Sequence, residues 1–140
     1  MSEGLAFIAN GSFSLVSFIV ALSIIVFIHE FGHYIVGRWC GIDAEVFSIG
    51  FGPVLLSRKD KHGTMWQIAL LPLGGFVRFS REETISQANI ENLNNKDHTF
   101  EGASVLARTL TVIAGPFANF ILTFLILIFF VLVNGVSSEK

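Results

Sequence analysis

The sequence predicts a membrane protein, mainly α: two transmembrane helices joined by a cytoplasmic segment that contains a β-element. Three observations carry that prediction. Two long uncharged apolar runs lie toward the ends of a 140-residue chain, eight of its nine basic residues lie between them, and the stretch between alternates β-formers with turn residues. Hydrophobic residues make up 52% of the chain and charged residues only 14%, a balance too apolar for intrinsic disorder. The formal net charge of -2 leaves no basic excess to hold a phosphate backbone, so nucleic acid is not an expected partner. Cys40 stands alone, which excludes an internal disulfide and a four-cysteine zinc module.

Residues 1–11 read as an outward-facing N-terminus. The run from Phe13 to Ile28 has sixteen residues without a charge, and a transmembrane helix is predicted over 12–37. No Lys or Arg precedes it, and the helical pattern continues through His29 and Glu30 without a small-residue cleavage site, so the helix is expected to be retained rather than removed as a signal. In the connecting segment, 38–108, the stretch from Ala44 to Phe79 reads as three or four short strands with a hairpin at Asp60 to Gly63. Residues 80–99 are polar, rich in Asn and Glu and without clear periodicity, and read as a flexible or partly helical loop. The run from Thr109 to Val133 has twenty-five uncharged residues, giving a second transmembrane helix over 109–134 and an outward-facing end at 135–140. That run is apolar all round, with Phe120, Phe124, Phe129 and Phe130, which speaks against a buried helical hairpin in a soluble protein. Arg38, Arg58, Lys59, Lys61, Arg78, Arg81, Lys96 and Arg108 all fall between the two runs, so the connecting segment is expected on the cytoplasmic side.

The chemistry concentrates at His29-Glu30-Phe31-Gly32-His33, an HExxH pattern at the end of the first apolar run. On a helix four residues advance about 400°, so His29 and His33 share one face roughly 6 Å apart along the axis. That spacing lets two imidazoles hold one tetrahedral zinc, with Glu30 beside them to take a proton from a metal-polarised water. Counted from Ser12, His29 lies about 26 Å along the helix, close to the cytoplasmic edge of a hydrocarbon core of about 30 Å. Three ionisable groups at such a depth are costly unless paired or metal-bound, which favours function over side chains snorkelling to the headgroups. In the second run the polar or irregular residues are Gly115, Pro116 and Asn119. Pro116 removes a backbone donor and should kink the helix, and Ala114, Gly115 and Ala118 form a small surface suited to close helix contact. Asn119 is expected to face protein or a water-filled cavity; it reads equally as part of a site or as a polar tie between helices.

Four segments in this order carry a resemblance: His29 to His33, Phe47-Ser48-Ile49-Gly50-Phe51-Gly52-Pro53, Pro72-Leu73-Gly74-Gly75-Phe76-Val77, and Ala114-Gly115-Pro116-Phe117-Ala118-Asn119-Phe120. Together they resemble the amino-terminal part of the site-2 protease family of intramembrane zinc metalloproteases, in particular the bacterial branch that cuts membrane-anchored anti-sigma factors. The resemblance implies a bacterial inner-membrane, multi-pass protein with Zn2+ as cofactor, His29 and His33 as metal ligands and Glu30 as the catalytic base. It implies a membrane-embedded, single-span protein as substrate, and a membrane-dipping β-element that holds it extended. Gly74, Gly75, Gly115, Pro116 and Asn119 would then lie near the active site or the substrate. Apolar residues on both faces of the predicted strands, such as Phe47, Ile49, Phe51, Trp66 and Ile68, agree with contact with the lipid bilayer or with the transmembrane core.

The family's third zinc ligand is an aspartate in a later transmembrane helix, and this chain has no Asp beyond Asp97. A catalytic zinc wants three protein ligands, so the rest of the protease or another chain is expected to supply one. The alternative is a catalytically incomplete membrane hairpin that binds partner helices or regulates a full-length protease. Glu45, His62, His98 and Glu101 have no spacing that points at the metal and read as surface groups.

Overall fold

The computed structural model describes residues 2–81 and 98–135, with side chains from residue 11 onward. Most of the expected polar loop, 82–97, lies outside the described residues, as does nearly all of the outward-facing end. Four elements follow one another: helix α1 (Ser2–Trp39), strands β1 (Ala44–Lys59) and β2 (Met65–Phe79), and helix α2 (Val105–Asn134).

Both helices are long and apolar enough to cross a membrane, over Gly11–Trp39 and Val105–Asn134. The outer faces of α2 are bare, with Phe120 73% exposed, the expected state of a helix whose surroundings are lipid. Ser104 caps α2 by accepting a hydrogen bond from the Ala107 amide at 3.2 Å. The helix then continues through Pro116 to Asn134.

Between the helices lie two long strands rather than three or four short ones. They form one two-stranded sheet whose overall sense is antiparallel. Each strand bends back on itself within that sheet. Residues 54–59 pair with 65–69 as a hairpin, while residues 46–49 pair on one side with 65–68 and on the other with 75–78. Gly50 and Gly52 make the bend in β1, with φ of 88° and 86°, a region closed to most side chains. They turn the strand where its pairing changes, from 46–49 against 65–68 and 75–78 to 54–59 against 65–69.

Helix α1 meets its neighbours on different faces. Phe27, Phe31 and Tyr34, spaced four and three residues apart, share one stripe and pack on the sheet. Fully buried Phe47 stacks on Trp66 with ring centroids 4.2 Å apart, and Tyr34 meets both rings edge-on at 5.7 Å and 5.2 Å. Asp60 locks this arrangement at the hairpin turn. Its Oδ1 accepts from the backbone amides of His62 at 2.8 Å and Thr64 at 3.0 Å. Its Oδ2 accepts from Trp66 Nε1 at 3.1 Å and the Tyr34 hydroxyl at 3.2 Å, so one carboxylate ties the turn, β2 and α1. Burial pushes the Asp60 carboxyl upward, but hydrogen bonds from Trp66, His62, Thr64 and Tyr34 outweigh it and hold the group below the usual carboxylate range.

Candidate metal centre

A second face of α1 carries His29, Gly32 and His33 against α2. The helices approach closely because small residues line both sides: a Cβ on Gly32 would stand 2.5 Å from the Ala114 carbonyl oxygen and 2.8 Å from the Ala118 Cβ. A Cβ on Gly115 would collide with the His33 ring, so only glycine leaves that imidazole room.

The two histidines converge. His29 Nε2 and His33 Nε2 stand 3.2 Å apart. Two ligands at 2.0–2.1 Å from one tetrahedral zinc are about 3.3 Å from each other, so the separation fits a shared ion. The opposite ring nitrogens are also engaged. His33 Nδ1 lies 2.8 Å from the Thr111 carbonyl oxygen, which only accepts, so Nδ1 carries the proton and Nε2 presents its lone pair. His29 Nδ1 lies 3.2 Å from Asn119 Nδ2, and the amide's other atom, Oδ1, is buried without a hydrogen-bond partner. Among the described residues no group of three His, Cys, Asp or Glu side chains stands together, so the pair accounts for two ligands.

Glu30 occupies a third direction, where α1, α2 and the end of β2 meet. It lines a cleft of about 500 Å³ together with His33, Gly75, Arg78, Phe79 and Thr111. It makes no hydrogen bond or ion pair with a described residue, leaving its carboxylate available to the cleft. Gly75 brings the strand against it: a Cβ there would lie 3.2 Å from Glu30 Cγ and 2.7 Å from the Ser48 carbonyl oxygen. Residues 75–79 have a partner strand on one side, residues 44–49, and line the cleft themselves. Apolar walls, a strand edge without a partner among the described residues, a carboxylate and two imidazoles are parts suited to metal-assisted hydrolysis of an extended peptide.

Of the residues singled out in the sequence, the fold brings His29, Glu30, His33, Gly75, Gly115 and Asn119 together. Gly74 packs instead against the Phe51 ring, and Pro116 lies on the exposed side of α2. Glu45 pairs with Arg78 at 3.1 Å, Glu101 approaches Arg81 at 3.9 Å, and His98 Nδ1 bonds the Gly41 carbonyl at 3.0 Å, all away from the histidine pair. Sequence reasoning missed Thr111, whose contribution is a backbone carbonyl, and Arg78 and Arg81 at the cleft. The residues flanking Asn119 were visible as polar or irregular features in an apolar run; Thr111 carried no such signal.

The model of peptidase family M50 matches residues 17–139. A protein of Agrobacterium fabrum, whose name gives zinc metalloprotease as its candidate activity, is 49% identical over 118 residues, covering 80% of this chain and 31% of that protein. A similarly named protein of Brucella suis is 44% identical over 126 residues, 85% of this chain and 33% of its own. The regulator of sigma E protease of Haemophilus influenzae is 44% identical over 110 residues, 77% of this chain and 24% of its own. The chain thus spans about a third or less of the length of the curated relatives it matches. With a family match running from within α1 past the end of α2, and with the HExxH histidines converged on one point, the chain belongs to peptidase family M50, the site-2 proteases.

Proposed function

We propose that this chain is the amino-terminal part of an intramembrane zinc metalloprotease that hydrolyses peptide bonds of single-span membrane proteins such as anti-sigma factors. The observation that carries the reading is the 3.2 Å approach of His29 Nε2 and His33 Nε2, with Glu30 facing the adjoining cleft. His29 and His33 would hold zinc, and the third ligand comes from outside the described residues, from the rest of the protein or another chain. Bound there, zinc would supply Lewis acidity toward a peptide carbonyl and a water. Glu30 takes the proton from that water and returns it to the leaving amine, as a general base and then a general acid. The free edge of residues 75–79 binds the substrate as an added strand, which keeps the scissile bond extended beside Glu30.

Depth supports the membrane reading. Asp60 reaches α1 at Tyr34, whereas the Pro72 carbonyl approaches Ser23 Oγ at 3.4 Å. Those two rungs are eleven residues apart on α1, about 16 Å along its axis. With Arg38 at the cytoplasmic surface, the bent sheet dips from the headgroups into the hydrocarbon of a bacterial inner membrane, and its exposed Leu55, Leu56, Leu70 and Leu73 meet lipid. On the same count His29 lies about 13 Å from Arg38 along α1.

The test is Glu30→Gln in the full-length protein, assayed for cleavage of a reconstituted single-span substrate and for bound zinc. Cleavage should fall at least 10²- to 10⁴-fold with zinc content unchanged. The alternative reading is a catalytically incomplete hairpin that binds partner helices or regulates a full-length protease. Wild-type protein without zinc and without cleavage would establish that reading instead.

A further inference from the structure

We infer that Asn119 is a positioning residue for the metal: its side-chain amide rotates by a half-turn to set which nitrogen of His29 carries the proton. The inference rests on the zinc reading above and deepens it. As the side chains stand, His33 Nε2 is an acceptor, because Nδ1 is committed to donating to the Thr111 carbonyl. The 3.2 Å contact between the two Nε2 atoms therefore requires His29 to donate from Nε2. His29 Nδ1 is then an acceptor, and Asn119 Nδ2, 3.2 Å away, is its donor. That chain of bonds is consistent, but it leaves Asn119 Oδ1 buried and unbonded, and it leaves His29 with no lone pair to offer a metal.

Metal binding needs the opposite tautomer. Both Nε2 atoms must present lone pairs, which at 3.2 Å repel unless a cation lies between them. His29 must move its proton to Nδ1, and Nδ1–H then needs an acceptor where Asn119 now presents a donor. Rotating the amide exchanges its two ends in nearly the same volume and brings the orphaned Oδ1 onto Nδ1–H. The unbonded oxygen of one state is the hydrogen-bond acceptor of the other. An amide at this position serves both states; a group that only accepts serves the metal-bound state alone, and an apolar group serves neither.

That difference gives the test. Zinc and cobalt(II) affinities are measured for the full-length protein carrying Asn119→Asp and Asn119→Leu, with the His29 tautomer read by nitrogen-15 NMR at pH 8.5 with and without zinc. The expected result is that N119D binds zinc within about 3-fold of wild type or tighter, while N119L loses 10- to 100-fold. In the metal-free state the wild-type His29 Nδ1 should carry no proton, and in N119D it should carry one. A residue that only ties two helices together predicts the reverse order, because a carboxylate there would be an unpaired buried charge. N119D binding as weakly as N119L, or N119L binding as well as wild type, overturns the inference while leaving the protease reading in place. Wild-type protein that takes up no zinc overturns both. Should N119L fail to fold, metal-free N119D decides alone, and a His29 Nδ1 without a proton there sinks the proposal.

Discussion

Helix α1 presents two faces that differ in what they are made of and in what a change to them would do. Phe27, Phe31 and Tyr34 form a thick aromatic stripe against Phe47 and Trp66, held by interlocking rings and by the Asp60 carboxylate. His29, Gly32 and His33 form a thin stripe against Ala114, Gly115 and Ala118, where backbones nearly touch and the bulk belongs to imidazole. Bulk on the first face supplies adhesion between helix and sheet. Its absence on the second allows α2 to bring Thr111 and Asn119 within hydrogen-bonding distance of the histidines. The lesson is that one helix builds the fold with one side and the chemistry with the other.

Four changes would break or sharpen that contrast. Phe47→Ala, at a fully buried position, should cost about 3–5 kcal/mol by thermal or denaturant unfolding, with zinc uptake by the surviving folded protein near wild type. If zinc uptake fell in parallel with stability, the two faces would not be separable. Gly115→Val should do the converse, pushing the His33 ring aside and lowering cleavage about 100-fold, with Trp66 fluorescence unchanged. A shifted Trp66 signal would show that the thin face also supports the sheet.

Asp60→Asn should cost on the order of 1 kcal/mol, because the turn stays formed while the charge-assisted bonds from Trp66 and Tyr34 weaken in a half-exposed site. The Asp60 carboxyl is lowered in the fold, so its contribution is complete above the unfolded carboxylate value near 3.9 and fades as pH falls through the lower folded value. Unfolding measured from pH 7 downward should therefore show the gap between wild type and D60N constant to about pH 5 and closing below about 4. A gap that widened on acidification would contradict the assignment of the four hydrogen bonds. Smallest of all, Arg81→Ala removes a 3.9 Å exposed ion pair with Glu101 and should change stability by less than about 0.5 kcal/mol. A larger loss in cleavage than in stability would assign Arg81 to the substrate side of the cleft.

Much of the thin face was legible in the sequence, because its signals are local. A four-residue spacing puts His29 and His33 on one stripe whatever the rest of the chain does, and Asn119 stands out in an apolar run. The thick face was legible only as composition. Trp66 and Phe47 read as strand residues, but their stacking depends on residues 46–49 having partners on both sides, a pairing between distant segments that no window of sequence contains. Three or four short strands were expected where two long bent ones form, since a turn between strands and a bend within one use glycine for the same positive φ. Asp60 was visible as a hairpin residue, yet its reach to Tyr34, twenty-six positions away, is a product of the folded arrangement. Thr111 was invisible for another reason: it acts through its carbonyl, and every residue has one.

The cleft beside Glu30 also bears on supply. Hydrolysis consumes water as a reagent, and hydrocarbon holds almost none. A volume of about 500 Å³ has room for on the order of ten or more water molecules at ~30 Å³ each. Arg78 and Arg81 at its rim, one paired with Glu45 and the other close to Glu101, keep that rim wettable, while Val77, Phe79 and Val112 line it with hydrocarbon. The geometry is that of a small open reservoir, and under the proposed function the rate at which it refills would set a ceiling on how often a bond could be cut.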